Sequence, residues 1–202
     1  MALFQRKRTA ETAAPAAVLE ADPALAALTG DYTIDPAHSS IGFSVRHAMV
    51  TNVRGTFGEY EGQLALDGTD PARSTASLDI AIASIDTGIA DRDGHLRSAD
   101  FFDAETYPRM TFRSTAAERV DGDRYRITGD LTLRDVTKPV TIDLEYLGSA
   151  TDVYGAERVG FTGSAEILRS DWGLTWNAAL ETGGVMVSDR VRLNLELSAV
   201  RA

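Results

Sequence analysis

The 202-residue chain contains no cysteine, which removes disulfides, thiolate metal sites and a cysteine nucleophile from consideration. It has three histidines, His38, His47 and His95, and none stands at the close spacing of a metal-binding pair. No Gly-x-Ser-x-Gly elbow, phosphate loop or dinucleotide fingerprint occurs. No apolar run reaches membrane-spanning length. Positive charge is also short, with 20 Lys and Arg against 30 Asp and Glu, a net charge of −10. Residues 1–29 hold three basic and three acidic side chains, so the whole excess falls in the rest of the chain, 17 basic against 27 acidic. Such a surface repels phosphate backbones, and no nucleic-acid partner is expected.

Residues 1–29 are rich in Ala, Pro, Thr and Glu and read as a flexible tail, with one helical turn at Pro23–Leu28. Arg6-Lys7-Arg8 is followed by no apolar stretch, because Pro15, Glu20 and Asp22 interrupt what comes after. This is not the pattern of a secretory signal, so the cytoplasm is the expected location. Leu3, Phe4 and the basic triplet leave open a weak, transient membrane contact.

From residue 30 to 202 the dominant period is two. Ile41, Phe43, Val45 and His47 alternate with polar or small neighbours, as do Leu78, Ile80 and Ile82. The same holds for Tyr125, Ile127, Gly129, Leu131 and Leu133, for Val140, Ile142, Leu144 and Tyr146, and for Val191, Leu193, Leu195 and Leu197. One face of an antiparallel sheet is being buried, repeatedly. Asp121-Gly122-Asp123 carries hairpin chemistry, and Asp67 to Pro71 and Asp135 to Pro139 are turn clusters. Eight or nine strands without a parallel crossover predict an all-β fold, an antiparallel barrel of about eight strands, because an open sheet would leave long edges. Barrels of this size either fill with side chains or hold one small ligand. Inward Phe43, Phe57, Phe112 and Phe161 occur beside inward Gly129, Gly163 and Ala165. Periodicity does not separate the two cases.

One stretch breaks the alternation. Between Ser84 and Phe112 stand Asp91, Arg92, Asp93, His95 and Ser98, then Phe101-Phe102 and Tyr107-Pro108. Aspartates near its start suit the first turn of a short helix, and Asp91, His95 and Ser98 share a helical face. With Gly88 and Gly94 as flexible points, the Asp91–Asp103 segment is expected to be a plug or lid across the mouth of the barrel, between the fourth and fifth strands.

A family resemblance rests on motifs that fall in order along the chain. They are Tyr32-Thr33-Ile34-Asp35-Pro36 with His38-Ser39; Phe43, Val45 and His47; Val53, Gly55 and Phe57; and Ser84-Ile85-Asp86-Thr87. They continue with Arg92-Asp93, His95-Leu96, Ser98 and Asp100-Phe101-Phe102; Tyr107-Pro108; Thr132-Leu133 with Val136-Thr137-Lys138-Pro139-Val140; and Arg169-Ser170-Asp171 with Gly173-Leu174. Together they resemble the YceI-like family from Tyr32 to about Leu197. Asp135 departs from a more usual Gly, and Trp172 from a more usual Phe. The resemblance implies a lipocalin-like barrel that encloses a long polyisoprenoid chain, such as the tail of an isoprenoid quinone, with no other cofactor.

For such a ligand the expected tail-lining residues are Ile41, Phe43, Val45, Phe57, Leu78, Ile80, Ile82, Phe101, Phe102, Phe112, Leu131, Leu133, Ile142, Leu144, Phe161, Trp172 and Leu193. His47, Arg92 and His95 are the expected headgroup donors. The leading reading is a binding or carrier protein rather than an enzyme. The competing one is a barrel enzyme on an apolar substrate, using His95 or His47 with Asp91 or Asp93. A homodimer is compatible with the sequence and is not specified by it.

Overall fold

A computed structural model describes residues 23–181 and 183–202. Residues 1–22 of the expected tail, Leu3, Phe4 and the basic triplet among them, lie outside the described residues. After a one-turn helix α1 (Pro23–Ala26) come the strands β1 (Gly30–Ile34), β2 (Ser40–His47), β3 (Thr51–Phe57), β4 (Tyr60–Leu66), β5 (Thr75–Ala81) and β6 (Ile85–Asp86). Helix α2 (Ala90–Arg97) follows, then β7 (Arg109–Asp121), β8 (Arg124–Leu133), β9 (Val136–Thr151), β10 (Glu157–Leu168) and β11 (Val187–Arg201).

Every pairing among these strands is antiparallel. The strands close into a ring because β11 pairs with β2 over its first half and with β1 near its end. β1 and β2 are two halves of one bent barrel strand, and β3 and β4 are two halves of the next. The bends sit side by side. Pro36, which has no N–H to give, interrupts the first strand, and Gly58 the second, while the Tyr60 hydroxyl donates to the Ser39 carbonyl at 2.7 Å. Counted this way the barrel has eight strands, and α2 lies between the third and fourth rather than between the fourth and fifth. Counting β3 and β4 as separate strands would place it between the fourth and fifth.

The barrel's two ends differ. At one end α2, the Phe101-Phe102 segment and the start of the connection after Trp172, with Leu174 and Trp176, pack into a solid plug. Ile82 is fully buried there, Trp172 is 2 % exposed with its indole N–H on the Leu131 carbonyl, and Leu133 packs beside them. At the other end lie α1, the 67–74 connection and the tips of the β7–β8 and β9–β10 hairpins. Residues 23–29, read from sequence as the end of a free tail, are packed against this end, with Leu25 buried.

Outside the wall, Arg158 ties the β9–β10 hairpin to the first bend, donating to Asp35 at 2.6 Å and to Asp152 at 2.9 Å. Arg158, and then His38, hold the Asp35 carboxyl down from an ordinary 3.8 to about 2. A carboxyl depressed in the folded state stabilises fully above its unfolded pKa, and that share is lost as pH falls through the folded value. Thermal unfolding followed from pH 5 to pH 2 should therefore show a loss of stability between about pH 4 and pH 2. In Asp35→Asn that component should be missing. An unchanged pH profile in the variant would remove this ion pair from the stability of the bend.

Candidate functional site

Inside the closed wall, Ile127, Leu144, Phe161, Leu193, Leu195 and Leu197 point inward but are only half-buried. Apolar side chains in a sealed interior stay accessible only if they border a void. The barrel is hollow, and this decides what periodicity left open. The cavity has a volume of about 180 Å³. It is therefore a narrow slot. Its wall runs from Tyr125 to Leu131 on β8, from Val140 to Tyr146 on β9 and from Phe161 to Ile167 on β10. Six steps at ~3.3 Å per residue give a length along the strands of roughly 20 Å.

Of the expected lining residues, Ile41, Phe57, Leu78, Ile80, Phe112, Leu131, Ile142, Leu144, Phe161 and Leu193 border the cavity. Phe43, Val45, Ile82, Phe101, Phe102, Leu133 and Trp172 do not. Phe43 and Phe102 pack against Phe57, with ring centroids 5.9 and 6.2 Å apart, and Val45 pairs with Val53 and Val191 near the end of β2. Phe101 stacks on Trp176 and on the His95 ring. With Ile82, Leu133 and Trp172 these side chains form the plug beneath the cavity floor, where Phe57, Ile80, Met110, Leu131 and Ile167 end the void. Alternation reports which face a residue takes but not its depth along the axis. The same alternation on β8, β9 and β11 also marks Ile127, Val140, Tyr146, Leu195 and Leu197, which do line the cavity.

None of the expected headgroup donors reaches the cavity. His47 closes β2 at the plugged end. Arg92 donates to the Thr87 hydroxyl and carbonyl at 2.7 and 2.8 Å, and His95 meets Asp100 at 2.9 Å. Asp93 is buried and accepts from the Thr87 N–H and hydroxyl, tying the start of α2 to the chain before it. It braces the connection before α2 rather than pairing with His95. Asp91 is exposed. Of the two expectations, plug or lid, the α2 segment is a plug that seals one end of the barrel, and the mouth lies at the opposite end. Among the described residues no three His, Asp or Glu side chains converge as metal ligands.

Arg169 fixes the plugged end further. Its buried guanidinium donates to the carbonyls of Leu174, Trp176, Val187 and Ser188, and burial pushes its pKa down from the ordinary value. Asp189 accepts from the Ser170 N–H and hydroxyl. The Arg169-Ser170-Asp171 motif is thus structural scaffolding.

The mouth lies among Leu28, Leu66, Asp67, Gly68, Pro71, Ser74 and Ala76. Residues 23–29 cap it. Leu25 and Leu28 contribute to the cavity wall, and the cap is held at its rear by β11. There Arg201 donates to the carbonyls of Thr29 at 2.9 Å and Ala27 at 2.8 Å, and also meets Glu157. The buried Tyr32 hydroxyl donates to the Leu28 carbonyl at 3.0 Å, and the Gly68 N–H to the Thr29 hydroxyl at 3.0 Å.

The sequence profile of the YceI-like domain matches residues 32–199 of this chain. The chain belongs to the YceI-like family. Among the family's proteins, the UPF0312 protein plu2095 of Photorhabdus laumondii is 42% identical over 161 residues, which cover 79% of this chain and 82% of that one. The crystal structure of BcnA from Burkholderia cenocepacia superposes with a TM-score of 0.72 at 27% identity, covering 82% of this chain and 98% of that one. A polyisoprenoid binding domain from Saccharophagus degradans shares the fold, with a TM-score of 0.64 at 19% identity and coverage of 85% and 98%. The YceI-like match begins at Tyr32, so the cap at 23–29 lies outside it.

A Cβ at Gly68 would overlap the backbone of Leu25. Gly68→Ala should therefore lift the cap while leaving the barrel intact. Amide hydrogen exchange at Leu28 and Thr29, whose N–H groups bond to Leu25 and Ala26, should quicken by about tenfold or more with β8 and β9 unchanged. Unaltered exchange at these two amides would show that Gly68 is not the seat of the cap.

Proposed function

We propose that this YceI-like protein is a carrier that encloses the tail of an isoprenoid lipid in its barrel and exchanges it with membranes. The observation that carries the reading is the apolar slot, closed at the α2 end and open beneath the cap. The likeness in fold to a domain described as polyisoprenoid binding supports it. A methyl-branched, unsaturated chain of narrow cross-section suits a slot walled by Leu, Ile, Val and Phe.

The energetics favour exchange over capture from water. Burying twenty carbons at ~0.8 kcal/mol each would release about 16 kcal/mol relative to water, an affinity near picomolar. A carrier that tight would release its cargo too slowly to be useful. The tail does not start in water, however. A bilayer interior is as apolar as the slot, so transfer between them is nearly balanced. Headgroup contacts and the cap then set its direction, and no bond needs to be made or broken. Such a carrier works through transient contact with the donor membrane, and the compartment proposed for it is the cytoplasm. Among the described residues no helix is long and apolar enough to cross a membrane.

Mass spectrometry of lipid released by denaturing the purified protein should find an isoprenoid species. In Leu195→Trp, which places an indole in the lumen, the lipid should fall at least fivefold with thermal stability kept or raised, since filling a void adds contacts. Retention of full lipid load in a folded Leu195→Trp protein would refute the lumen as the binding site. The enzyme reading is addressed by His95→Ala. A carrier keeps its lipid load in this variant, because His95 contacts Asp100, Phe101 and Trp176 outside the cavity. Loss of a measurable turnover in His95→Ala would reverse the assignment.

A further inference from the structure

We infer that the tip of the β9–β10 hairpin is the surface by which this protein docks on a lipid bilayer, with Val153 and Tyr154 entering the interface of a membrane without net charge. The inference rests on the carrier reading above, for which it names the place of contact. Val153 is 93% and Tyr154 92% exposed, more than any other large apolar side chain among the described residues. A lone exposed apolar residue is ordinary on a protein surface. Two adjacent ones on a projecting tip, at the barrel's open end, ask for a partner.

The tip projects because its neighbours stop short. β9 pairs with β8 only as far as Glu145, and β10 with β11 only as far as Arg158, so residues 151–157 reach beyond the wall. The turn is nevertheless firmly built. The Asp152 carboxylate accepts from the N–H groups of Tyr154 at 2.9 Å and Ala156 at 3.0 Å. The Asp152 N–H donates to the Ala156 carbonyl at 2.9 Å, and Gly155, at φ 86°, donates its own N–H to the Asp152 carbonyl at 3.0 Å. Donors satisfied within the turn lose little on leaving water. At the foot of the hairpin Glu157 meets Arg201, which donates in turn to the carbonyls of Ala27 and Thr29. One guanidinium thus joins the docking tip to the segment that covers the slot.

Charge selects the kind of membrane. Asp152 is paired with Arg158, Arg158 also with Asp35, and Glu157 with Arg201, so the hairpin offers no free cation to an anionic headgroup. Exposed Arg73 at the mouth is outnumbered there by Asp67 and Asp70. With a net charge of −10, the chain is repelled by an anionic surface. Size argues against a second protein as the occupant. A Val and a Tyr side chain supply on the order of 300 Å², short of the ~800 Å² per partner of a specific protein interface. A bilayer interface accepts so small a tip, with the Tyr ring among the acyl chains and its hydroxyl among the headgroups. Met49 and Val50 are exposed too, at 61% and 76%, but at the plugged end, where the slot is closed.

Because the chain has no cysteine, one reporter can be placed at will. Val153→Cys, and Met49→Cys as the control at the plugged end, are each labelled in the full chain with a polarity-sensitive fluorophore and mixed with phosphatidylcholine vesicles. Emission of the label at 153 should brighten and shift to the blue, and that at 49 should not move. In co-sedimentation the unlabelled double variant Val153→Ser, Tyr154→Ser should bind these vesicles about tenfold more weakly, with its Tm unchanged. It should also take geranylgeraniol from them at least about fivefold more slowly, to the same final load. No response at 153, an equal response at 49, or unaltered vesicle affinity in the double variant overturns the inference. A shift at 153 that follows protein concentration without vesicles marks a contact between copies of the chain and overturns it as well. So does binding that needs phosphatidylglycerol and is lost in salt, which assigns docking to Arg6-Lys7-Arg8. A vesicle response at 153 without extraction of lipid leaves the docking surface standing and overturns the carrier reading alone.

Discussion

Eight strands closed on themselves leave an interior that ordinary side chains either fill or narrowly fail to fill, and in this barrel the balance is tipped by where the glycines stand relative to bulky cross-strand neighbours. Gly163 pairs with Leu144, and the tip of the Leu144 side chain occupies the space a Cβ at 163 would need. Gly129 is overlain by the Phe112 ring in the same way, and Gly62 by Ile34. Each glycine gives a large residue a seat in the wall, so the side chain lies along the sheet instead of projecting to the axis. The apolar surface remains on the lumen face while its bulk is drawn back. Glycine in a strand weakens it locally. Here that cost keeps an axial slot clear.

The same closure explains why the two ends have opposite characters. A barrel has no sheet edges, but it has two open rims, and each must be either plugged or used. At the plugged rim the fold concentrates its polar machinery: buried Arg169 on four carbonyls, buried Asp93 on Thr87, and the Trp172 indole N–H on Leu131. Buried ionic groups are costly unless well bonded, and once bonded they hold a unique arrangement because any displacement strands them. That makes a rigid floor. The mouth carries mainly apolar side chains and hydroxyls, which tolerate being covered and uncovered.

This division also accounts for what the sequence did and did not disclose. The barrel was legible because inward and outward positions alternate without interruption over Val140–Tyr146 of β9 and Val191–Leu197 of β11, and along β8. Many of the lining residues followed from the same alternation, Phe112, Leu131, Ile142 and Leu193 among them. Depth was not legible, so Ile82, Leu133 and Trp172, which face inward below the floor, looked equivalent to residues of the slot. Whether the barrel was hollow turned on cross-strand pairs such as Leu144 with Gly163, whose register a single strand does not reveal. His47, Arg92 and His95 drew attention because they carry the chemistry that recognises headgroups. Chemistry-bearing side chains in this fold serve the seal, and the mouth is built from residues with little individual signal. Pro23–Leu28 showed only as a helical turn. Its role as a cap depends on Arg201, at the far end of the chain.

Access to the slot should follow the cheaper rim. The cap is held by two bonds from Arg201 and one between Gly68 and Thr29, all exposed, one from the buried Tyr32, and the burial of Leu25. At a net value of about 1 kcal/mol per bond and about 2 kcal/mol for the leucine, displacing the cap costs several kcal/mol. That lies within the range of local opening in native proteins. Opening the other rim would strand the Arg169 guanidinium and the Asp93 carboxylate and expose Phe101, Phe102 and Trp172 together, which approaches the cost of unfolding the domain. A bilayer that receives the Leu25 and Leu28 side chains as the cap lifts returns part of the smaller cost and none of the larger. Under the carrier reading proposed above, contact with a membrane and opening of the slot would then be one event.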